Sequence, residues 1–139
     1  MNKKERNEKG FTMVELIIVV AIMGIIGALL VPAFGTMSAK ARLTTDISTI
    51  KTLQRTATAY KTEKELWPGT NASTLVSILV SDGYLQAEPT LQTSAAGGLI
   101  SVDVAAERIW LDLGAGKTTT FSKALTQIDS QTVTDFVAP

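Results

Sequence analysis

The chain has no cysteine, so it carries no disulfide framework, thiolate nucleophile or thiolate metal site. It also has no histidine, which removes the commonest general base and a common zinc ligand. Net charge is absent too: 13 basic residues balance 13 acidic ones over 139 positions. Four of those basic residues and two of the acidic ones fall in the first ten positions, leaving 9 against 11 and a remainder near −2. A chain so balanced offers no basic surface for a phosphate backbone and no evident nucleic-acid partner. A fourth absence is local. From Leu16 to Ala39 there is no charged residue, a run of 24 positions.

As a helix, that run would extend about 36 Å, enough to cross a hydrocarbon core. Before it lies MNKKERNEKG, with Lys3, Lys4, Arg6 and Lys9 against Glu5 and Glu8. Flanking basic residues favour keeping the N-terminus in the cytoplasm. A cleaved secretory signal is the plainer reading, and Ala39-Lys40-Ala41 has the small-x-small form of a cleavage site. The apolar run is much longer than the usual signal core of about 7–15 residues, and such a core has no use for the carboxylate of Glu15. A simple membrane anchor also leaves Glu15 without a purpose.

Beyond the run, Leu43, Ile47, Ile50, Leu53, Ala57 and Tyr60 recur at spacings of three and four among polar residues. That is an amphipathic helix. No glycine or proline interrupts it between Thr36 and Leu66, so one helix is expected from about Phe11 to Lys64. Pro32 should kink it, since proline removes a backbone donor and crowds the carbonyl four residues back. Gly24, Gly27 and Gly35 weaken the same region. WPGTN at Trp67–Asn71 ends the helix, and Asn71 or Ser73 is placed to cap a short second one stopped by Asp82-Gly83. Ile100, Val102 and Val104 alternate with polar residues, as do Ile109, Leu111 and Leu113, which predicts a hairpin turning near Ala106 and Glu107, with Trp110 on its outward face. KTTTFSK at 117–123 reads as a third strand, and 124–139 is ambiguous.

The fold class is therefore α+β. A long N-terminal helix, apolar in its transmembrane half and amphipathic above, packs its stripe against a small antiparallel sheet that is too small to bury its own core. LGAGKTTT at 113–120 imitates a phosphate-binding loop, but the required first glycine would fall on Leu111, and no strand–loop–helix context is expected around it. Asn71-Ala72-Ser73 matches a glycosylation pattern that three residues meet often by chance. No catalytic constellation is present, and no metal or cofactor is implied.

KGFTMVELIIVVAIMGIIGALLVP resembles the N-terminal signature of the type IV pilin family, which includes pilins and the pseudopilins of type II secretion and competence systems. The pattern is a short basic leader ending in glycine, a new first residue, glutamate at the fifth position and an apolar helix with a proline. Gly10, Phe11, Glu15 and Pro32 match it in turn, while Met13 and Val14 replace commoner aliphatics. The resemblance implies a leader over 1–10, a transmembrane and filament-core helix over 11–35, and an extracytoplasmic head over 36–139 with its helix at 36–64 and a C-terminal sheet. It implies that a prepilin peptidase cuts between Gly10 and Phe11 and that the new amine of Phe11 is methylated. An assembly ATPase and a platform protein then draw subunits out of the membrane into a filament with other pilin-like subunits.

That process explains Glu15. Residues four apart share a helix face, so the carboxylate can meet the amine of its own Phe11 in the membrane and a neighbour's in a dry filament core. The resemblance further implies a single-pass cytoplasmic-membrane protein before assembly and an extracellular or periplasmic filament after it. A secretion or DNA-uptake pseudopilin is the alternative, followed by a membrane-anchored binding protein that never polymerises. An anchored enzyme comes last.

Overall fold

A computed structural model describes residues 10–94, 97–114 and 118–137. The element order is α1 (Met13–Lys64), α2 (Ala72–Ser81), β1 (Leu99–Asp103), β2 (Arg108–Asp112), α3 (Thr118–Leu125) and α4 (Ser130–Phe136). This is an α+β chain with a 52-residue first helix and a two-stranded antiparallel sheet. It divides into two compact units, Met1–Gly35 and Thr36–Pro139.

In the second unit, α1 buries Leu43, Ile47, Ile50, Leu53, Ala57 and Tyr60, the whole stripe that the spacing predicts. Its exposed side is rich in threonine. Thr44, Thr45, Thr49, Thr52 and Thr56 each donate a hydroxyl to the carbonyl four residues back, so polar groups that would compete with the helix are absorbed by it. The helix ends where Glu65 turns to φ +57°. Gly69 follows at φ +100°, where a Cβ would stand 2.7 Å from the Leu75 nitrogen, so only glycine fits.

Helix α2 starts with a capping box. Asn71 Oδ1 accepts from Thr74 N–H at 2.9 Å, and Thr74 Oγ1 accepts from Asn71 N–H at 3.2 Å. Leu75, Val76 and Leu79 face the core, and Asp82 with Gly83 closes the helix. Tyr84 then sets its ring edge-on to Tyr60 at 5.2 Å and donates its hydroxyl to Glu63. That bond favours the neutral phenol, and with desolvation it pushes the Tyr84 hydroxyl up to about 12.

The hairpin pairs Ile100 with Leu111 and Val102 with Ile109, which puts these apolar side chains on one face. Ile109, Leu111 and Leu113 are buried in the core, and Trp110 is half-buried. Asp103 Oδ1 accepts from the Ala105 and Ala106 amides and so shapes the turn. Val104 falls after the strand and is exposed, because the chain is already turning there.

The expected third strand is a helix. Phe121 and Ala124 of α3 are both buried, and their spacing of three puts them on one helical face, whereas in a strand one of them would point away. The outer edge of β2 is also taken: Gln54 Oε1 accepts from Ile109 N–H at 2.7 Å, and Val137 bridges to Leu111 in parallel. The ambiguous tail contains α4, capped by Asp129, whose carboxylate accepts from Thr132 N–H at 3.0 Å. Arg108 holds the end of α4 by donating to the carbonyls of Thr134 and Asp135. A strand–loop–helix context does surround LGAGKTTT, contrary to expectation, since β2 precedes it and α3 follows. Residues 115–117 lie outside the described residues, and the spacing still places Leu111 where a phosphate loop needs glycine.

Candidate functional site at the start of the long helix

The first unit is a helix without a core of its own. Its large apolar side chains from Val14 to Leu30 are between 46% and 72% exposed, and they occur on every face. A helix apolar all round is normally enclosed, by protein or by lipid. This one is long and apolar enough to cross a membrane, and among the described residues none of that segment is buried.

Its start is built from Thr12 and Glu15. The helix begins at Met13, and Thr12 is the residue before it, whose carbonyl takes the first helical bond from Leu16 N–H at 3.3 Å. Glu15 Oε2 accepts from the Thr12 amide at 2.8 Å and from the Thr12 hydroxyl at 2.8 Å, while Thr12 Oγ1 accepts from Glu15 N–H at 3.3 Å. This is a reciprocal capping box, and it satisfies donors that a helix start leaves without partners. A carboxylate in the first turn also matches the positive end of the helix dipole.

Glu15 thus has a local role, closing the helix cap, that the family resemblance does not imply. The Thr-x-x-Glu pattern from Thr12 to Glu15 was there to find it. Phe11 stands ahead of the helix and is 83% exposed. Gly10 is exposed as well, with no described atom within 4 Å of where a Cβ would be. Residues 1–9 of the expected leader lie outside the described residues.

Gly24 is helical, and a Cβ there would meet nothing within 4 Å. The Pro32 side chain, on which the expected kink depends, lies outside the described residues, although the helix assignment continues through it. Asn71 of the glycosylation-like triplet is occupied as the cap of α2. Among the described residues, no group of three or more acidic side chains is placed to hold a metal ion.

The second residue missed was Asp46. The pattern placed it with the solvated residues between stripe positions, yet it is 0% exposed. Its Oδ1 accepts from Gln92 N–H at 2.7 Å, and its Oδ2 accepts from Thr93 N–H at 2.8 Å and Thr93 Oγ1 at 2.6 Å. It fastens the loop before β1 to the helix, a partnership 46 residues away that no local pattern encodes.

Residues 6–31 match the family description "Prokaryotic N-terminal methylation motif". The chain is 31% identical over 90 residues to the fimbrial protein EcpC of Eikenella corrodens, covering 65% of this chain and 57% of the relative. It is 25% identical over 116 residues to the type IV major pilin protein PilE of Neisseria gonorrhoeae, covering 84% and 68%. It is 33% identical over 67 residues to the type II secretion system core protein G of Pseudomonas aeruginosa, covering 48% and 47%. The chain therefore spans roughly half to two thirds of the length of these relatives. No solved structure matches it significantly.

Proposed function

We propose, from the N-terminal methylation motif and the similarity to fimbrial and pilin proteins, that the chain is a member of the type IV pilin family and a structural subunit of a type IV pilus-like filament. A prepilin peptidase removes residues 1–10 by cutting at Gly10–Phe11, and the new amine of Phe11 is methylated. The apolar segment over 11–35 holds the precursor in the cytoplasmic membrane, with the N-terminus inside, until a platform protein and an ATPase deliver it to the filament. The head over 36–139 stands outside the membrane. The observation that carries this reading is the first part of α1, from Met13 to Leu30, apolar on every face and exposed among the described residues. Such a surface is stable in lipid first and among like helices afterwards.

Glu15 is the register residue of this proposal. In the precursor it closes the capping box on Thr12. After cleavage, an incoming subunit presents a Phe11 amine, and the carboxylate is the anion that pairs with it in a dry core. A slipped neighbour leaves both charges unpaired, which is costly away from water.

Three variants separate the two roles. Glu15→Gln keeps a capping-box acceptor and removes the charge. Thr12→Val removes the capping hydroxyl and keeps the charge. Glu15→Ala removes both. Immunoblots of membrane and sheared surface fractions are expected to show leader removal in all three, with filaments lost for Glu15→Gln and Glu15→Ala but kept for Thr12→Val. Normal filaments from Glu15→Gln would end the register argument. A pseudopilin is the second reading, favoured by the match to a secretion protein G. Retention of the chain in the envelope with no sheared filament would select it.

A further inference from the structure

The two edges of the hairpin are treated differently. On β2, Ile109 N–H donates to Gln54 of α1 and Leu111 bridges to Val137. Because Ile109 N–H turns away from β1, the pair Val102↔Ile109 is one that exchanges no ladder hydrogen bonds. Antiparallel pairs alternate, so Ile100↔Leu111 is another, and Leu99↔Asp112, Ser101↔Trp110 and Asp103↔Arg108 carry the ladder. Ile100 and Val102 therefore turn their amides and carbonyls to the outer edge of β1. None of these four groups has a hydrogen-bond partner among the described residues. Open main-chain donors and acceptors at strand spacing, held by water in the isolated chain, are a template for pairing with another extended backbone.

A groove of about 420 Å³ adjoins this edge, with Val76, Leu91, Leu99 and Ile100 in its wall. Leu99 is 64% exposed beside it. The only charged side chain in the lining is Glu88, and Asp103 stands at the far end of the strand. A second copy of this chain is a poor occupant. Antiparallel pairing of two β1 edges brings the Asp103 carboxylate of one towards the Glu88 end of the other, and parallel pairing sets Asp103 beside Asp103. Like charges placed opposite each other weaken strand pairs.

We propose that the free edge of β1 and the groove beside it form a docking site for an extended segment of another protein, one that alternates aliphatic and basic residues. Its backbone pairs with Ile100 and Val102, an aliphatic side chain enters the groove, and a cation meets Glu88. This site lies in the head and does not depend on Glu15 or on filament assembly.

The test is amide hydrogen exchange on the full chain in detergent micelles, with a capped hexapeptide alternating Val and Lys as the probe. With saturating probe, exchange at Ile100 and Val102 is expected to slow at least tenfold, with no change at Ser101 and Asp103, which already bond to β2. A hexapeptide alternating Val and Glu should produce no slowing, and Glu88→Lys, on an exposed loop position, should reverse the preference between the two. No slowing by the Val–Lys peptide at millimolar concentration overturns the proposal, and so does equal slowing by both peptides. Slowing without peptide that grows with protein concentration also overturns it, by making the edge a self-association surface.

Discussion

Replacing Asp46 by asparagine changes one atom and should destabilise the head markedly. The carboxylate accepts three hydrogen bonds at 2.6–2.8 Å, and no ion pair reaches it among the described residues. Bonds to a charged acceptor are worth about 1.5–3 kcal/mol each. An asparagine placed with its oxygen at the Oδ2 position keeps both Thr93 donors, now as weaker neutral bonds, but turns its amide group towards the Gln92 N–H. One strong bond is lost and a donor meets a donor. In the opposite rotamer the Thr93 N–H faces the asparagine NH2, and the Thr93 hydroxyl must accept where it had donated. The expected cost is about 2–3 kcal/mol for Asp46→Asn. Asp46→Ala strands the buried amide and hydroxyl of Thr93 together and should cost about 3–5 kcal/mol, with water reaching the part-buried Gln92 amide. For a head of this size, 1 kcal/mol moves Tm by about 4–8 °C, so the asparagine variant should melt on the order of 10–20 °C lower. The assay is denaturation of the full chain in micelles followed by the fluorescence of Trp67 and Trp110. An Asp46→Asn midpoint within about 0.5 kcal/mol of the parent would refute this account of the loop attachment.

Other outcomes follow from the same contacts. Gly98→Ala would put a Cβ 2.0 Å from Thr93 Oγ1, so it should cost about 1–3 kcal/mol and be non-additive with Asp46→Asn in a double-mutant cycle, since both disturb Thr93. Additive costs would mean that the two act separately. Leu53→Ala empties a buried site on the stripe and should cost about 2–5 kcal/mol in the same denaturation assay. The Tyr84 hydroxyl, pushed up to about 12 by Glu63, binds its proton more tightly folded than unfolded. Its contribution to stability is therefore complete below about pH 10 and is lost as pH rises towards 12. Absorbance titration at alkaline pH should show that late step, and Glu63→Gln should move it earlier.

What could be read in advance was what depends on period. The stripe from Leu43 to Tyr60 alternates every three or four residues and is buried as a whole. The cap at Asn71 and the stop at Asp82-Gly83 are short-range chemistry, and so is the register of Ile109, Leu111 and Leu113. Three things failed to show, each for a different reason. KTTTFSK favours a strand by its threonines, but the free space was on a helical face holding Phe121 and Ala124, and the edge of β2 had been taken by residues distant in sequence. Asp46 looked solvated because its partners are 46 and 47 residues away. Thr12 does not stand out because the family signature runs from Gly10 and Phe11 to Glu15 and gives it no part, although Thr-x-x-Glu is itself a capping pattern.

The central claim is that this chain is processed at Gly10–Phe11 and assembled through the helix that then begins it. Intact mass measurement of the chain recovered from sheared surface filaments tests it most directly. The account predicts a single species starting at Phe11, heavier by one methyl group on its new amine. An assembled species that still starts at Met1, or one cut near Leu43, would contradict it.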